Sequence, residues 1–517
     1  MKPTSHPAFT LLILLHIVFA GTATAAPSSL TQLEFAVSYL AGTNDAGGNF
    51  MGGTELINMV AHQEKIFAGN GYWKDVPGSD PSPGPQILSL ASSQGTWKVE
   101  KSFGISYQRM TAMAEVTFTT DGGGNALIPP VTMLIASPSS ITSSEMHVFT
   151  RDDATGVWTK TVVGTDTSDP SVRSLIVHRD AQTGIDNLFA GAGGNVFRGY
   201  YDAAAPGRIS WQAAPEFQSP LQKRIMAMEE ANGSLHVLTK PYWYRRTDGS
   251  PAAWTQVFSY PYPSPSTSSG MRGLTAIPNP GGTGQVLLAG LESNAGYLTR
   301  VDPQASYPEV REIDFPTYMS AALGTGCNVV VPSYNRMTPV THPDTGEAVH
   351  LIGMQATNPN DRAATYYFVR HASGTYDLGR VPVEPTLAVG WTANVKRLVA
   401  VREILVSPFP EDKGRVFFFG GHDANNVDKH NTAWIYRALL PGLVNVKVLG
   451  IPASGPLQGQ CQLECSGVPP QGFILEASSD LAAWLPLATL DLVQPALIYS
   501  DALAPGFTRR FYRTRLP

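Results

Sequence analysis

The chain has 517 residues, of which 43% are hydrophobic and 15% are charged, and it contains 49 glycines and 41 prolines. The length and the many turn-forming residues favour two domains or one large β architecture, and the apolar content excludes a disordered chain. The formal net charge of −5 argues against nucleic acid as a partner, because phosphate recognition needs a basic surface.

The N-terminus has the pattern of a secretory signal peptide. Lys2 supplies a positive charge, residues 9–21 are predominantly apolar, and Ala23 and Ala25 place small residues before a cleavage site. The apolar run is shorter than the ~18–20 residues that a membrane-spanning helix requires. We therefore predict a signal peptide over residues 1–25 and a secreted or periplasmic protein without a membrane span.

Two distant stretches of the chain repeat one pattern. "MVAHQEKIFAGNG" begins at Met59, and "LIVHRDAQTGIDNLFAGAGG" begins at Leu175. Each consists of an apolar strand that ends at a histidine (His62 or His178), a turn, and a second strand that ends in Phe-Ala-Gly. A strand–turn–strand unit that occurs twice predicts a repeat architecture.

Six segments share a second pattern, an arginine followed by a short apolar strand. They begin at Arg109, Arg173, Arg224, Arg272, Arg336 and Arg397, at intervals of 48 to 64 residues. A second apolar strand follows each of them, most have a third, and several units close with a glycine turn and an aromatic-led strand. With the first unit, in which Ile57 occupies the arginine position, the chain has seven such units.

Seven units of three to four strands, without helical periodicity, predict an all-β fold in the form of a seven-bladed β-propeller over residues 33–440. Four-stranded sheets that pack radially leave only short, protected edges. A tandem of β-sandwiches is the alternative, and it is disfavoured because sandwiches carry turn signals without this in-phase repeat.

The repeat region resembles secreted β-propellers of the Asp-box and kelch kind. The turns "DATGVW" (residues 153–158) and "TDGSPAAW" (residues 247–254) are similar to an Asp-box, although neither keeps the full Ser-x-Asp-x-Gly-x-Thr-Trp pattern. The resemblance implies that the tryptophans of these turns, Trp158 and Trp254, pack between blades.

From residue 441 the repeat stops, and residues 441–517 are predicted to form a separate small β-sandwich domain. "LEASSDLAAW" (residues 475–484) and "RRFYR" (residues 509–513) resemble the C-terminal immunoglobulin- or fibronectin-like modules of exported bacterial proteins. The resemblance implies a spacer, sorting or attachment module. Cys461 and Cys465 would lie ~13 Å apart on a straight strand, so a disulfide between them would require an intervening turn.

The arginines that begin the repeated segments are candidate ligand-binding residues. In a propeller the loops that enter the innermost strands lie on one face, so these arginines would surround one mouth of the channel. Guanidinium groups suit bidentate contact with carboxylate or sulfate. Lys240, Tyr242 and Glu292, in loops on the same predicted face, would complete the site.

A structural role for these arginines is the alternative. Glutamates lie five or six residues further along several of the same strands, and they would form a ring of ion pairs with the arginines. These glutamates are Glu115, Glu229, Glu230 and Glu403.

The longest loop on the predicted face, residues 420–434, carries a candidate metal site. Its candidate ligands are His422, Asp423 and His430, because imidazole and carboxylate groups are usual ligands of divalent cations. Turn caps are the alternative explanation for the Asp and Asn content of this loop.

These observations predict an exported β-propeller that binds an anionic ligand, an acidic glycan or a protein, at one face of its channel. The alternative is an extracellular carbohydrate-active enzyme, a polysaccharide lyase or a glycoside hydrolase, that acts at the same face. No nucleophile elbow, P-loop or dinucleotide fingerprint stands in a credible context. We expect a monomer whose partner is an anionic polysaccharide or an extracellular protein, with a divalent cation as the only candidate cofactor.

Overall fold

The computed structural model describes residues 28–72, 83–220, 224–240, 242–260, 270–292, 296–361, 364–383, 397–425, 431–442, 444–507 and 509–516. Strands make up 59% of the structure and helices 6%, so the predicted all-β class is confirmed. The predicted signal peptide lies outside the described residues. Within those ranges, none of the helices has the length and apolar character needed to cross a bilayer.

The first three strands precede the repeated region. They are β1 (Glu34–Leu40), β2 (Thr43–Asn44) and β3 (Phe50–Met51). β2 and β3 pair with each other as a short hairpin.

Among the described residues, the strands that follow can be grouped into seven antiparallel units, which we number in chain order. Unit 1 consists of β4 (Glu55–His62), β5 (Lys65–Gly71), β6 (Gln86–Leu90) and β7 (Lys98–Ser102). Unit 2 consists of β8 (Tyr107–Thr120), β9 (Ala126–Ser140), β10 (Glu145–Arg151) and β11 (Trp158–Thr165). Unit 3 consists of β12 (Val172–Arg179), β13 (Asp186–Ala192), β14 (Asn195–Tyr201), β15 (Ile209–Trp211) and β16 (Phe217–Gln218).

Unit 4 consists of β17 (Ile225–Ala231), β18 (Ser234–Thr239), β19 (Tyr242–Thr247) and β20 (Ala253–Ser259). Unit 5 consists of β21 (Gly270–Pro278), β22 (Gln285–Glu292), β23 (Tyr297–Val301) and β24 (Glu309–Asp314). Unit 6 consists of β25 (Asn328–Pro332), β26 (Thr338–Thr341), β27 (Ala348–Thr357), β28 (Ala364–Arg370) and β29 (Tyr376–Pro382). Unit 7 consists of β30 (Arg397–Val406), β31 (Val416–Asn425) and β32 (Ala433–Leu439).

One helix, α1 (Phe315–Leu323), connects units 5 and 6. The Asp314 side chain caps it by accepting a hydrogen bond from the Thr317 amide at 3.0 Å, and Gly324 ends it in the left-handed conformation. The sequence has no helical periodicity in this region, so this helix was not predicted. Nine residues with local caps are too short for a periodic apolar face to be recognised.

The first strands of the units lie side by side in a closed circuit. β4 contacts β8, β8 contacts β12, and the series continues through β17, β21, β25 with β26, and β30 back to β4. β1 completes unit 7 by pairing antiparallel with β32, with Glu34 opposite Leu439 and Leu40 opposite Trp434. Units 1 and 2, and likewise units 6 and 7, share hydrogen-bonded sheets that curl into open half-barrels. That these units are propeller blades stays a prediction.

An irregularity recurs at the same place in the first strand of five units. The pairing register skips Ile57 in β4, Thr111 in β8, Arg173 in β12, Met226 in β17 and Arg402 in β30. A β-bulge bends a strand and redirects the side chain of the extra residue. Arg173 and Arg402 therefore occupy equivalent positions in the repeat.

A buried histidine joins unit 1 to unit 2. His62, at the end of β4, places Nδ1 2.7 Å from Glu115 and Nε2 3.0 Å from Asp153, both in unit 2. Arg151 Nη1 donates to the same Asp153 oxygen at 2.8 Å, and Arg151 Nη2 donates to Glu100 of unit 1 at 2.8 Å. The turn at residues 153–158 therefore supplies a carboxylate that holds two units together.

The same network joins unit 3 to unit 4. His178 Nδ1 lies 2.8 Å from Glu230, and Nε2 lies 3.0 Å from Asp248. Arg246 pairs with Asp248 and, through Nε at 2.7 Å, with Glu216 of unit 3. The two matching stretches of sequence belong to units 1 and 3 because each supplies the histidine of one such network.

Contacts between later units use other side chains. Units 5 and 6 are bridged by a bidentate Arg370–Glu312 pair, with both distances 2.8 Å. Units 4 and 5, by contrast, are joined by hydrogen bonds between Asn232 and Gln285 that involve their side chains and backbones. Successive units are therefore joined by ion pairs in some places and by neutral hydrogen bonds in others.

The C-terminal strands form two three-stranded sheets. One consists of β33 (Asn445–Gly450), β34 (Cys461–Ser466) and β37 (Ala496–Asp501), and the other of β35 (Gln471–Ser478), β36 (Leu485–Leu492) and β38 (Phe511–Arg515). Cys461 and Cys465 are both free and buried in the core that the two sheets share. Arg437 Nη2 of β32 donates to the Pro469 carbonyl at 2.9 Å and ties this region to unit 7.

We expect His178→Gln to destabilise the protein more at about pH 5.5 than at about pH 9, by about 1–3 kcal/mol at the lower pH. Burial lowers the pKa of His178, but hydrogen bonds to Glu230 and Asp248 outweigh it and raise the pKa above its usual value. Protonation therefore stabilises the fold below the pKa of the unfolded chain, and this stabilisation disappears as the pH rises through the folded-state pKa. Thermal unfolding at both pH values measures the difference.

The control is His236→Gln. Burial lowers the pKa of His236 to about 4, so at pH 5.5 the unfolded chain binds a proton at this ring that the folded protein does not bind. Loss of His236 should therefore cost less stability at about pH 5.5 than at about pH 9, which is the opposite of the trend expected for His178. A pH-independent loss in the His178 variant would contradict the prediction.

Candidate functional site

Tyr334 is the centre of a cluster of charged side chains. It lies between β25 and β26 and is half-buried. The guanidinium carbon of Arg402 is 3.9 Å from the centre of its ring, and that of Arg272 is 4.5 Å away. Two guanidinium groups therefore contact one phenol ring, a favourable arrangement of cation and π system.

Two carboxylates compensate part of the positive charge around Tyr334. Glu55, which is fully buried, accepts a hydrogen bond from Arg109 Nη1 at 3.3 Å and lies 3.9 Å from Arg402 Nη2. Glu292 accepts from Arg272 Nε at 2.5 Å. The second Glu55 oxygen, Oε2, has no hydrogen-bond partner among the residues that the structure describes.

Asp169 supplies the third carboxylate and is shared by two arginines. It lies 3.4 Å from Arg173 Nε and forms an ion pair with Arg224. Burial lowers the pKa of Arg173 to about 10; Asp169 opposes this shift, whereas the neighbouring Arg109 and Arg224 add to it. The charge of Arg173 is therefore incompletely compensated.

We call this group the arginine cluster, and it contains more positive than negative side chains. Its five guanidinium groups face three carboxylates and one phenol. Its members are Arg109, Arg173, Arg224, Arg272, Arg402, Glu55, Asp169, Glu292 and Tyr334.

The phenol of Tyr334 is unusually acidic for a group in this environment. Burial raises its pKa, but Arg272, Arg109 and Arg402 together outweigh burial and lower the pKa to about 8. A fraction of Tyr334 is therefore ionised near neutral pH, and the phenolate would act as a further counter-ion for the guanidinium groups.

A cavity of about 740 Å³ adjoins the arginine cluster and is lined by the first strands of the units. Arg173 and Tyr334 belong to its wall. Glu229 and Glu403 also face it; burial raises their pKa values to about 7 and about 8. The cavity therefore connects a cationic region with carboxyl groups that hold a proton near neutrality.

The structure brings four of the six predicted arginines together. Arg109, Arg173, Arg224 and Arg272 belong to the arginine cluster. Arg336 lines the cavity instead, with Nη2 3.1 Å from Glu229. Arg397 begins β30, and its side chain lies outside the described residues.

The other predicted ligand residues occupy different environments. Glu292 belongs to the arginine cluster. The Lys240 carbonyl accepts a hydrogen bond from the Met271 amide at 3.3 Å, beside the start of β21. Tyr242 packs against Tyr244 with ring centres 6.4 Å apart, in the apolar core between units 3 and 4.

The glutamates of the structural alternative do not form a ring with the predicted arginines. Glu115 and Glu230 contact the histidines that join units, and Glu403 accepts a hydrogen bond from Asn335 Nδ2 at 2.6 Å. Of the four, Glu229 has an arginine partner, Arg336.

The proposed metal ligands are described only in part. His422 on β31 is buried, and its Nδ1 accepts a hydrogen bond from Arg402 Nε at 3.3 Å. The Asp423 side chain and the whole of His430 lie outside the described residues. Across the described ranges, the structure shows no group of three or more side chains arranged to hold a metal ion, and this metal site stays a prediction.

Sequence reasoning did not single out Tyr334, Arg402, Glu55 and Asp169. The last of the repeated segments begins with Arg397, so the recurring arginine pattern points to that residue. The bulge position of the same strand is occupied by Arg402 instead. Glu55 directly precedes the apolar part of β4, as Arg109 does in β8. An alignment on the bulge would have found both.

The comparisons with known proteins do not identify a family. No protein-family model matches the sequence, and no curated protein matches it. A protein of unknown function from Dyadobacter fermentans is similar in structure, with a TM-score of 0.37 and 10% identity, over 79% of this chain and 99% of that one. A mutant of the NanB sialidase from Streptococcus pneumoniae also has a TM-score of 0.37 and 10% identity, over 78% of this chain and 70% of that one.

We expect Tyr334→Phe to remove a phenol ionisation near pH 8 from the titration of the protein. The three neighbouring guanidinium groups favour the phenolate, and phenylalanine cannot ionise. Ultraviolet difference absorbance of the tyrosines, recorded against pH, measures the loss. Tyr499→Phe is the control, because burial raises the pKa of that phenol, and an unchanged titration in Tyr334→Phe would contradict the assignment.

Proposed function

We propose that the seven units are the blades of a β-propeller and that the C-terminal strands form a small β-sandwich domain. Two features support the propeller. The first strands form a closed circuit, and β1 supplies the outer strand of unit 7. Two three-stranded sheets around one apolar core support the sandwich.

We propose that the protein binds an anionic ligand at the arginine cluster. The observation that carries this proposal is the excess of guanidinium groups over carboxylates around Tyr334. Burial lowers the pKa of Arg402 as well as that of Arg173, although Tyr334 and Glu55 oppose the shift at Arg402. A carboxylate or sulfate from a ligand would supply the missing negative charge and accept charge-assisted hydrogen bonds.

The ligand is an acidic glycan or an extracellular protein with an acidic segment. The N-terminal sequence supports export, and acidic glycans present carboxylates and sulfates outside the cell. The C-terminal domain would act as a spacer or attachment module. The protein acts as a monomer, since each unit contributes to the cluster within one chain.

We expect Arg109→Gln and Arg272→Gln each to weaken the binding of heparin or polygalacturonate by about tenfold or more. Each substitution removes a charge-assisted donor from the cluster. Equilibrium binding at fixed ionic strength measures the change, because salt screens such contacts.

Arg380→Gln is the matched control. Arg380 lies on β29 and forms an exposed ion pair with Asp361, so the substitution removes the same charge from the protein surface. Such surface pairs contribute little to stability. Equal losses in all three variants, or no binding of either polymer to the wild-type protein, would overturn the proposal.

The alternative function is catalysis on an anionic polysaccharide at the same site. The lowered pKa of Tyr334 favours it, because a phenol that ionises near neutrality can serve as a general base. Guanidinium groups that neutralise the carboxylate of a uronate would acidify the adjacent C–H bond, as a lyase requires.

In that case we expect unsaturated product to form from polygalacturonate or hyaluronate. The rate should rise with pH up to about 8, as the phenolate forms. It should fall by about 100-fold or more in Tyr334→Phe. Product absorbance measures the rate, and binding without turnover would exclude this alternative while leaving the binding function intact.

A further inference from the structure

The cavity that adjoins the arginine cluster also contacts a second group of polar side chains. We call this group the polar belt. It consists of Asn58, Glu229, Asn335, Arg336 and Glu403, and all five residues line the cavity. Two short segments link the belt to the cluster, because Arg402 precedes Glu403 and Tyr334 precedes Asn335.

Asn58 is the member of the belt that most directly indicates a ligand. It lies on β4, one residue after the bulge, and is 9% exposed. Its Nδ2 has no hydrogen-bond partner within the part of the chain that the structure describes. An unsatisfied buried donor is costly, and a ligand oxygen at this point would relieve that cost.

Glu229 and Glu403 add groups that can donate as well as accept. Glu229 accepts from the Ala276 amide at 3.3 Å and pairs with Arg336, and Glu403 accepts from Asn335. Burial raises the pKa values of both carboxyl groups into the neutral range. Each group therefore spends part of its time protonated, and a hydroxyl group can pair with either state.

We propose that the polar belt binds the hydroxyl groups of an acidic saccharide whose carboxylate or sulfate lies at the arginine cluster. This inference rests on the proposed anion-binding function and narrows its ligand to a saccharide. Hydroxyl groups both donate and accept, as the belt requires, and a cavity of this volume falls in the range of small-molecule sites.

Other ligand chemistries fit the belt less well. An apolar group would leave Asn58 Nδ2 unsatisfied and would desolvate two carboxyl groups without replacing their hydrogen bonds. A second anionic group would be repelled by Glu229 and Glu403 whenever either is ionised. A neutral hydroxylated ring incurs neither cost.

The test compares two probes that differ in their hydroxyl groups. Glucuronic acid and cyclohexanecarboxylic acid both carry one carboxylate on a six-membered ring, but only the first has ring hydroxyls. We expect glucuronate to bind the wild-type protein about tenfold or more tightly than cyclohexanecarboxylate, because it can satisfy the belt. Ligand-observed NMR titration measures both affinities.

Variants of the belt locate the effect. Asn58→Ala and Glu403→Gln should reduce the preference for glucuronate and leave the affinity for cyclohexanecarboxylate unchanged. Arg272→Gln should instead weaken the binding of both probes, because Arg272 belongs to the arginine cluster. Circular dichroism verifies that each variant is folded, and the wild-type comparison decides the question even where a variant fails to fold.

The outcomes separate the two proposals. Equal affinity for both probes, or tighter binding of cyclohexanecarboxylate, would overturn the saccharide inference and leave the anion-binding function standing. A preference that persists in both belt variants would place the hydroxyl contacts elsewhere and would also overturn it. Failure of both probes to bind would overturn the anion-binding function itself.

Discussion

The pairing of β1 with β32 is the constraint on which the remaining structure depends. It joins residues near 34–40 to residues near 434–439, so the two ends of the repeated region meet in one sheet. The first strands can then surround a common space, and side chains from all seven units reach it: Glu55, Arg109, Arg173, Arg224, Arg272, Tyr334 and Arg402, in chain order. Closing a loop of this length is entropically costly, but the cost grows only slowly with length, so one well-paired strand can offset much of it.

The closed circuit creates an electrostatic problem as well as a site. Five guanidinium groups in a half-buried space repel one another, and burial alone favours their neutral forms. The structure distributes its counter-charges so that Glu55 serves Arg109 and Arg402, and Asp169 serves Arg173 and Arg224. Tyr334 adds further compensation through its ring and its acidic hydroxyl. These groups compensate enough of the positive charge for the cluster to persist, but they do not compensate all of it. An anion that binds there can therefore still form favourable electrostatic interactions.

The sequence was informative about features that repeat and silent about features that occur once. Strand periodicity and the recurring arginines predicted the all-β class, and four of those arginines come together. Arg402 could have been found from the bulge, whose register depends on backbone pairing and leaves no mark in composition. Tyr334 has no counterpart in the other units, because β25 and β26 together replace a single first strand. Asp169 lies before β12, in a connecting segment where no periodicity operates.

The contacts between units, like the side chains at the site, differ from one unit to the next. Histidine and arginine networks join units 1 to 2 and 3 to 4, and an arginine pair joins 5 to 6. Unit 7 is tied to unit 6 by the Arg415–Asp344 pair and to unit 1 by the Arg402–Glu55 pair, and β1 adds a further strand to it. In or beside the first strands, unit 1 contributes a glutamate to the site, units 2, 3, 4, 5 and 7 contribute arginines, and unit 6 contributes a tyrosine. Seven arginines without counter-charges would repel one another strongly. Divergence at Glu55 and Tyr334 therefore stabilises the arginines that remain, and it also gives the cavity one side on which a ligand can be oriented.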